Sequence, residues 1–199
     1  ARGLDPTGLR PLYPAGHSCP EIESAFAATT RADGSRRNSR FFHGFHSGAD
    51  IYVPESTPIL AIAAGTVVHK YEGTGIGGID IILQHSPADT GRAEWIYSSY
   101  KHLKALPPHA IGQGVAMGEV IGLAGRTGLK PKMRAHLHLA VLWSPDALYE
   151  TWERPPFFVP PNGAWADPLA LFAGGDLHSA ALADMPDAEK DVAIPYLTA

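Results

Sequence analysis

His46 and Asp50, in His46-Ser47-Gly48-Ala49-Asp50, and His136 and His138, in His136-Leu137-His138, are the residues whose types and spacing carry chemistry. Imidazole nitrogen and carboxylate oxygen are ordinary zinc ligands. Three of them leave the fourth tetrahedral position for water, as a catalytic site requires. Zinc in such a site lowers the pKa of its water to about 7, so a nucleophile is available near neutrality. A structural zinc would draw on several cysteines, whereas this chain has only Cys19, far in sequence from both clusters. Side chains two apart on a strand share a face, so His136 and His138 can address one point while Leu137 and Leu139 face the core. The first pair straddles Gly48 and runs into Ile51-Tyr52-Val53, the pattern of a turn delivering Asp50 to the start of a strand. His102, in Tyr100-Lys101-His102-Leu103, adds an imidazole able to move protons or steady developing charge. Spacing alone does not rank His136 against His138 as a ligand.

The elements that must hold these groups read as strands. Between residues 51 and 142, β-branched runs such as Ile59-Leu60-Ala61-Ile62, Thr66-Val67-Val68, Ile79-Asp80-Ile81-Ile82-Leu83 and Glu119-Val120-Ile121 alternate with glycine-bearing turns. The similarity of Ala64-Gly65-Thr66-Val67-Val68 to the run from Gly114 to Ile121 predicts an all-β fold. In it, two hairpin units face one another in a flattened barrel or sandwich, a duplicated hybrid motif. Gly73-Thr74-Gly75-Ile76-Gly77-Gly78 lacks the lysine of a phosphate loop and reads as a hairpin turn. Residues 1–40 form an N-terminal extension, with a short helix expected around residues 21–28 and a role in local packing or edge covering. Residues 155–161 are too proline-rich for a central strand and read as an extended surface stretch. Residues 174–199 read as an acidic C-terminal tail with a short helix at residues 186–192.

These blocks, in this order, resemble the LytM/lysostaphin-type zinc metallopeptidases, which cut peptide cross-bridges in bacterial cell walls. The family's His-x-Gly-x-Asp block is similar to residues 46–50, its Tyr-x-His-Leu block to residues 100–103, and its His-Leu-His block to residues 136–138. Its glycine-punctuated hairpin is similar to residues 111–122 and its closing Asp-Pro to Asp167-Pro168. The resemblance spans residues 41–173, the expected metallopeptidase domain. It implies that His46, Asp50 and His138 are the ligands of a Zn2+ cofactor and that His102 and His136 assist catalysis. It also implies a peptidoglycan peptide as substrate and a cell-envelope location, periplasmic or secreted. There are departures from the pattern. Leu139-Ala140-Val141 lacks an acidic residue often found after the last block. No tyrosine precedes the first ligand, where Arg40 is the candidate substitute in supporting the oxyanion.

Composition sets bounds on partners. The 199 residues, 45% hydrophobic, suffice for one good core. A net charge of −4 gives no overall basic field for nucleic acid. No stretch approaches the roughly 20 apolar residues that span a bilayer, and no signal-peptide core begins the chain, so a leader was either removed or never present. His17, His69, His85, His109 and His178 lack partners at ligand spacing and read as ordinary histidines, whereas His43 lies three residues from His46. The groove is expected between residues 40–45, 73–78 and 127–135, with Lys130, Lys132 and Arg134 as a basic rim suited to stem-peptide carboxylates rather than a neutral pentaglycine bridge. Two other functions compete: a noncatalytic cell-wall module or amidase activator, which the intact His46, Asp50 and His138 oppose, and a carrier domain modified at Lys132.

Overall fold

The computed structural model describes residues 3–13, 20–73, 75, 77–147 and 162–193. His17, Cys19 and residues 155–161 lie outside them. The strands are β1 (Arg10–Leu12), β2 (Ile22–Ser24), β3 (Ala49–Tyr52), β4 (Pro58–Leu60), β5 (Gly65–Glu72), β6 (Ile79–His85) and β7 (Trp95–Leu103). They continue with β8 (Gly114–Val115), β9 (Val120–Leu123), β10 (His136–Ser144), β11 (Ala164–Ala166) and β12 (Asp191–Ala193).

The all-β expectation holds. Seven strands run in the order β2-β3-β10-β7-β6-β5-β8, and β11 joins as a further partner of β10. This sheet has two ends and does not close, so the fold is an open sandwich rather than a barrel. The second layer includes the β4–β9 ribbon, formed where residues 58–60 meet residues 120–123.

The three central strands explain the chain's apolar runs. Every residue of β6 is buried, as is nearly all of β7 and β10, because a core lies on each face of the sheet. Ile81, Leu83, Tyr100, Leu137, Leu139 and Val141 point to one side and pack against Ile59 and Ile121 of the ribbon. Ile82, Tyr97, Ala140 and Leu142 point to the other side and are covered by Leu4, Phe26 and Trp165. Alternate residues of β10 thus feed separate cores, the period of two expected for a pleated strand.

The extension does not form the expected helix around residues 21–28. Ile22–Ser24 is a strand, paired antiparallel with β3, and the Tyr52 amide donates to the Glu21 carbonyl at 2.8 Å. The reason is β3 itself: on its side away from β10 it offers unpaired amides and carbonyls, which a strand satisfies and a helix cannot. Within residues 174–193 the acidic C-terminal stretch folds back onto the domain. A short helix, Ser179–Ala183, buries Leu182, and one 3-10 turn followed by β12 replaces the helix expected at residues 186–192. β12 pairs in parallel with β1, placing Val192 in the main core.

Candidate metal centre and its groove

Register assembles the site. In the ladders of β10, His138 lies opposite Asp50 on β3 and opposite Lys101 on β7. His46 arrives from the turn before β3, and Gly48 lets that turn pass against β10. A Cβ on Gly48 would stand 2.2 Å from the Leu139 carbonyl oxygen, so no side chain fits at position 48.

His102 reaches the site by a different route. Alternation along β7 puts Ile96, Ser98 and Tyr100 on the core side and would send His102 there too. Between the Ile79–Leu103 and Asp80–Lys101 pairs the register shifts, leaving His102 as an extra residue with φ of 65°. This bulge turns its ring to the side occupied by His136 and His138. A non-glycine residue held in the left-handed region at a buried position stores strain of the kind found at functional sites.

The donor atoms of His46, Asp50 and His138 converge. His46 Nε2 lies 3.1 Å from Asp50 Oδ1, His138 Nδ1 lies 2.9 Å from the same oxygen, and the two nitrogens are 3.0 Å apart. His46, Asp50, His102, His136 and His138 are each no more than 8% exposed, so the cluster is shielded from bulk water. Hydrogen bonds alone leave the triangle frustrated. His46 Nδ1 donates to the Ala25 carbonyl at 2.9 Å, so a neutral His46 presents a lone pair at Nε2 to the lone pairs of Asp50. One cation in contact with all three atoms resolves that conflict. Ligands about 2.0–2.2 Å from a tetrahedral zinc lie about 3.3–3.6 Å from one another, a few tenths of an ångström beyond the observed spacing. The residues present therefore fit a zinc ion.

Electrostatics follow from burial. Burial alone would raise the Asp50 carboxyl, but the hydrogen bond from His138, and one from His46 whenever its Nε2 carries a proton, hold it well below the usual carboxylate range. His138 is pushed down to about 4 by burial despite Asp50. His102 is pushed down to about 3, by burial first and then by the neighbouring His138 and His136. Both rings outside the triangle have one nitrogen committed. His102 Nδ1 donates to the Thr127 carbonyl at 2.9 Å, and His136 Nδ1 to the Arg134 carbonyl at 3.0 Å. Each neutral ring then carries its lone pair at Nε2, and His136 Nε2 is 3.7 Å from Asp50 Oδ1.

The cluster opens into a groove of about 390 Å³, and Phe41, Gly77, Gly128 and Lys130 represent the three loops expected to wall it. The profile described as Peptidase family M23 matches residues 44–148. The chain belongs to peptidase family M23. Solved structures resembling this M23 peptidase include LytU, at 28% identity over 51% of this chain and 64% of that one, with a TM-score of 0.43. The catalytic domain of lysostaphin from Staphylococcus simulans is 25% identical over 58% of this chain and 79% of that one, with a TM-score of 0.45. A putative peptidase M23 from Pseudomonas aeruginosa is 32% identical over 49% of this chain and 38% of that one, with a TM-score of 0.41. The chain thus spans less than two thirds of the length of LytU and much less of the Pseudomonas protein.

The remaining sequence candidates separate. Arg40 and His43 are exposed and do not line the groove. Arg134 is not a free rim charge: Glu23 and Glu21 of the extension hold it as ion pairs, and its guanidinium stacks 4.1 Å above the Tyr52 ring. Lys132 lines a neighbouring cavity with Glu21, Glu23 and Asp33, leaving Lys130 as the only rim cation of the three in the groove. His85, His109 and His178 have local partners in Ser98, Glu119 and Asp176. Sequence reasoning missed Arg37, whose Nη2 donates to Asp50 Oδ2 at 3.3 Å and to Ser24 Oγ at 2.9 Å. No spacing rule marks it, because it comes from the extension, outside every motif.

Proposed function

We propose that this chain is a zinc-dependent endopeptidase that hydrolyses peptide cross-links of bacterial peptidoglycan at the cell envelope, in the periplasm or after secretion. His46 Nε2, Asp50 Oδ1 and His138 Nδ1 would hold the zinc. When bound, the ion supplies Lewis acidity toward the scissile carbonyl and toward water. The residues around it supply the rest. His102 and His136, with Nδ1 placed to donate to the Thr127 and Arg134 backbone carbonyls, each offer Nε2 to accept a proton from the attacking water. The protonated ring then stands ready to support charge on the carbonyl oxygen or to return the proton to the leaving amine. Arg37 occupies Asp50 Oδ2 and so presents Oδ1 to the ion. Burial of the cluster keeps competing water away and strengthens each of these interactions.

The observation carrying this reading is the triangle of three donor atoms about 3 Å apart, which hydrogen bonds alone leave frustrated, beside two histidines with oriented tautomers. Among the described residues no helix is long and apolar enough to cross a membrane, which suits a substrate outside the bilayer. Metal content of the purified protein, measured with product analysis after digestion of defined muropeptides, tests it. About one zinc per chain and new amino termini at the cross-link are expected. A metal-loaded protein that leaves every cross-linked muropeptide intact overturns it.

A further inference from the structure

The hairpin of residues 29–37 lies outside the region matched to the family and brings two arginines to the groove. Its arms are tied by the Arg31 amide to the Ser35 carbonyl at 2.9 Å and the Arg37 amide to the Thr29 carbonyl at 2.9 Å. Arg31 and Arg37 both line the cavity that contains His46, Asp50 and His138.

Charge in this cavity is unbalanced. Arg37 is paired with Asp50 and Lys101 with Asp80, whereas Arg31 and Lys130 make no ion pair among the described residues. Asp50 is the one acid in the lining. The nearby Asp33 accepts from the Ser35 amide at 2.9 Å and lines the neighbouring cavity instead. When Asp50 serves as a ligand its charge is shared with a dication, so Arg37 loses most of its counter-charge.

Donors remain to receive an anion. Arg37 uses Nε on the Thr30 carbonyl and Nη2 on Ser24 and Asp50. Its Nη1 makes no hydrogen bond among the described residues. Arg31 uses Nη1 on the Arg36 carbonyl and Ser35 Oγ, while its Nε and Nη2 likewise make none. Two guanidiniums fixed at one edge and open at another are suited to a carboxylate, whose two oxygens accept parallel N–H bonds.

We propose that Arg31 and Arg37 form a carboxylate subsite beside the metal centre and that the substrate is an acidic peptide with a free carboxylate close to the scissile bond. This deepens the proposed peptidase reading and rests on it for the identity of the ligand. It also moves selectivity from the loop at residues 127–135 to the extension.

The test uses the zinc-loaded full chain and two probes, a cross-linked stem-peptide dimer with free carboxylates and the same dimer with those carboxylates amidated. Binding is read by calorimetry and cleavage by release of amino termini. The wild-type protein is expected to bind the free-carboxylate dimer about tenfold more tightly, with the difference in kcat/KM appearing mainly in KM. Arg31→Gln should remove the preference and Arg31→Glu should reverse it, while zinc content stays unchanged, since Arg31 does not touch the ligands. Equal binding of the two dimers by wild-type protein, or an unchanged preference in both variants, overturns the subsite. Selective binding without cleavage keeps the subsite and overturns the peptidase reading, whereas equal binding and cleavage of both dimers does the reverse.

Discussion

His102 and His136 meet edge to face, with ring centroids 4.9 Å apart and planes at 76°, although strand alternation assigns His102 to the opposite side of the sheet. The bulge in β7 makes this contact, and the Thr127 and Arg134 carbonyls fix the two tautomers. The pair is thus oriented from outside by backbone atoms of one loop, residues 127–134, which also borders the groove.

His102→Ala and His136→Ala should each leave zinc bound, because neither supplies an atom to the donor triangle. Turnover should fall by roughly 10²-fold or more, the usual scale for lost acid–base or oxyanion support. Metal analysis together with single-turnover kinetics checks this. Undiminished turnover in both variants would leave the ion as the sole source of chemistry.

Gly78→Ala should impair catalysis through His102 while sparing the metal. Gly78 has φ of 63°, and a Cβ there would lie 2.2 Å from the Thr127 carbonyl oxygen that orients the His102 ring. Displacing that oxygen turns the imidazole, and misplacement by about 1 Å costs on the order of 10²-fold in rate. The readout is a lowered kcat with zinc still near one per chain. Loss of zinc in parallel with kcat would instead mean that the whole sheet had shifted.

Asp50→Ala should abolish tight zinc binding, since it removes the only anionic donor and leaves two imidazoles. It also strands the buried Arg37, so folding must be checked alongside. Asp50→Asn keeps the shape while removing the charge and should lose zinc as well. Zinc affinity unchanged in Asp50→Asn would exclude this carboxylate as a ligand.

That the two histidine blocks meet was legible because each is local: two histidines share a face at a spacing of two, and Gly48 admits the close approach of His46 and Asp50 to β10. The central strands were legible from their apolar runs. What was hidden depends on long-range geometry. His102 faces the site through a register shift that is visible only once β6 is paired with β7. Ile22–Ser24 carries no strand signal beyond its three residues and becomes a strand through the open edge of β3. Arg37 reaches Asp50 from 13 residues upstream, and Arg134 left the basic rim because two glutamates of the extension claim it.

The last prediction concerns stability away from the groove. His85 is fully buried, with Nδ1 donating to the Ala64 carbonyl at 2.7 Å and Nε2 2.7 Å from Ser98 Oγ. Its neutral form satisfies both contacts when the Ser98 hydroxyl donates to Nε2 and the Tyr100 hydroxyl, 3.0 Å from Ser98 Oγ, donates to Ser98 in turn, and burial pushes its pKa below the ordinary histidine value of 6.5. Below pH 6.5 the unfolded chain therefore binds a proton that the folded chain refuses. Stability from this group is full above about pH 6.5 and is lost as pH falls toward the lowered folded value, with a limiting slope of about 1.4 kcal/mol per pH unit. His85→Asn keeps a donor for Ala64 but does not titrate. Urea unfolding with chelator present, at pH 7 and pH 5.5, should show the wild-type protein losing about 1 kcal/mol more than the variant over this interval. Parallel losses in the two proteins would mean that His85 is protonated in the folded state, contrary to its burial.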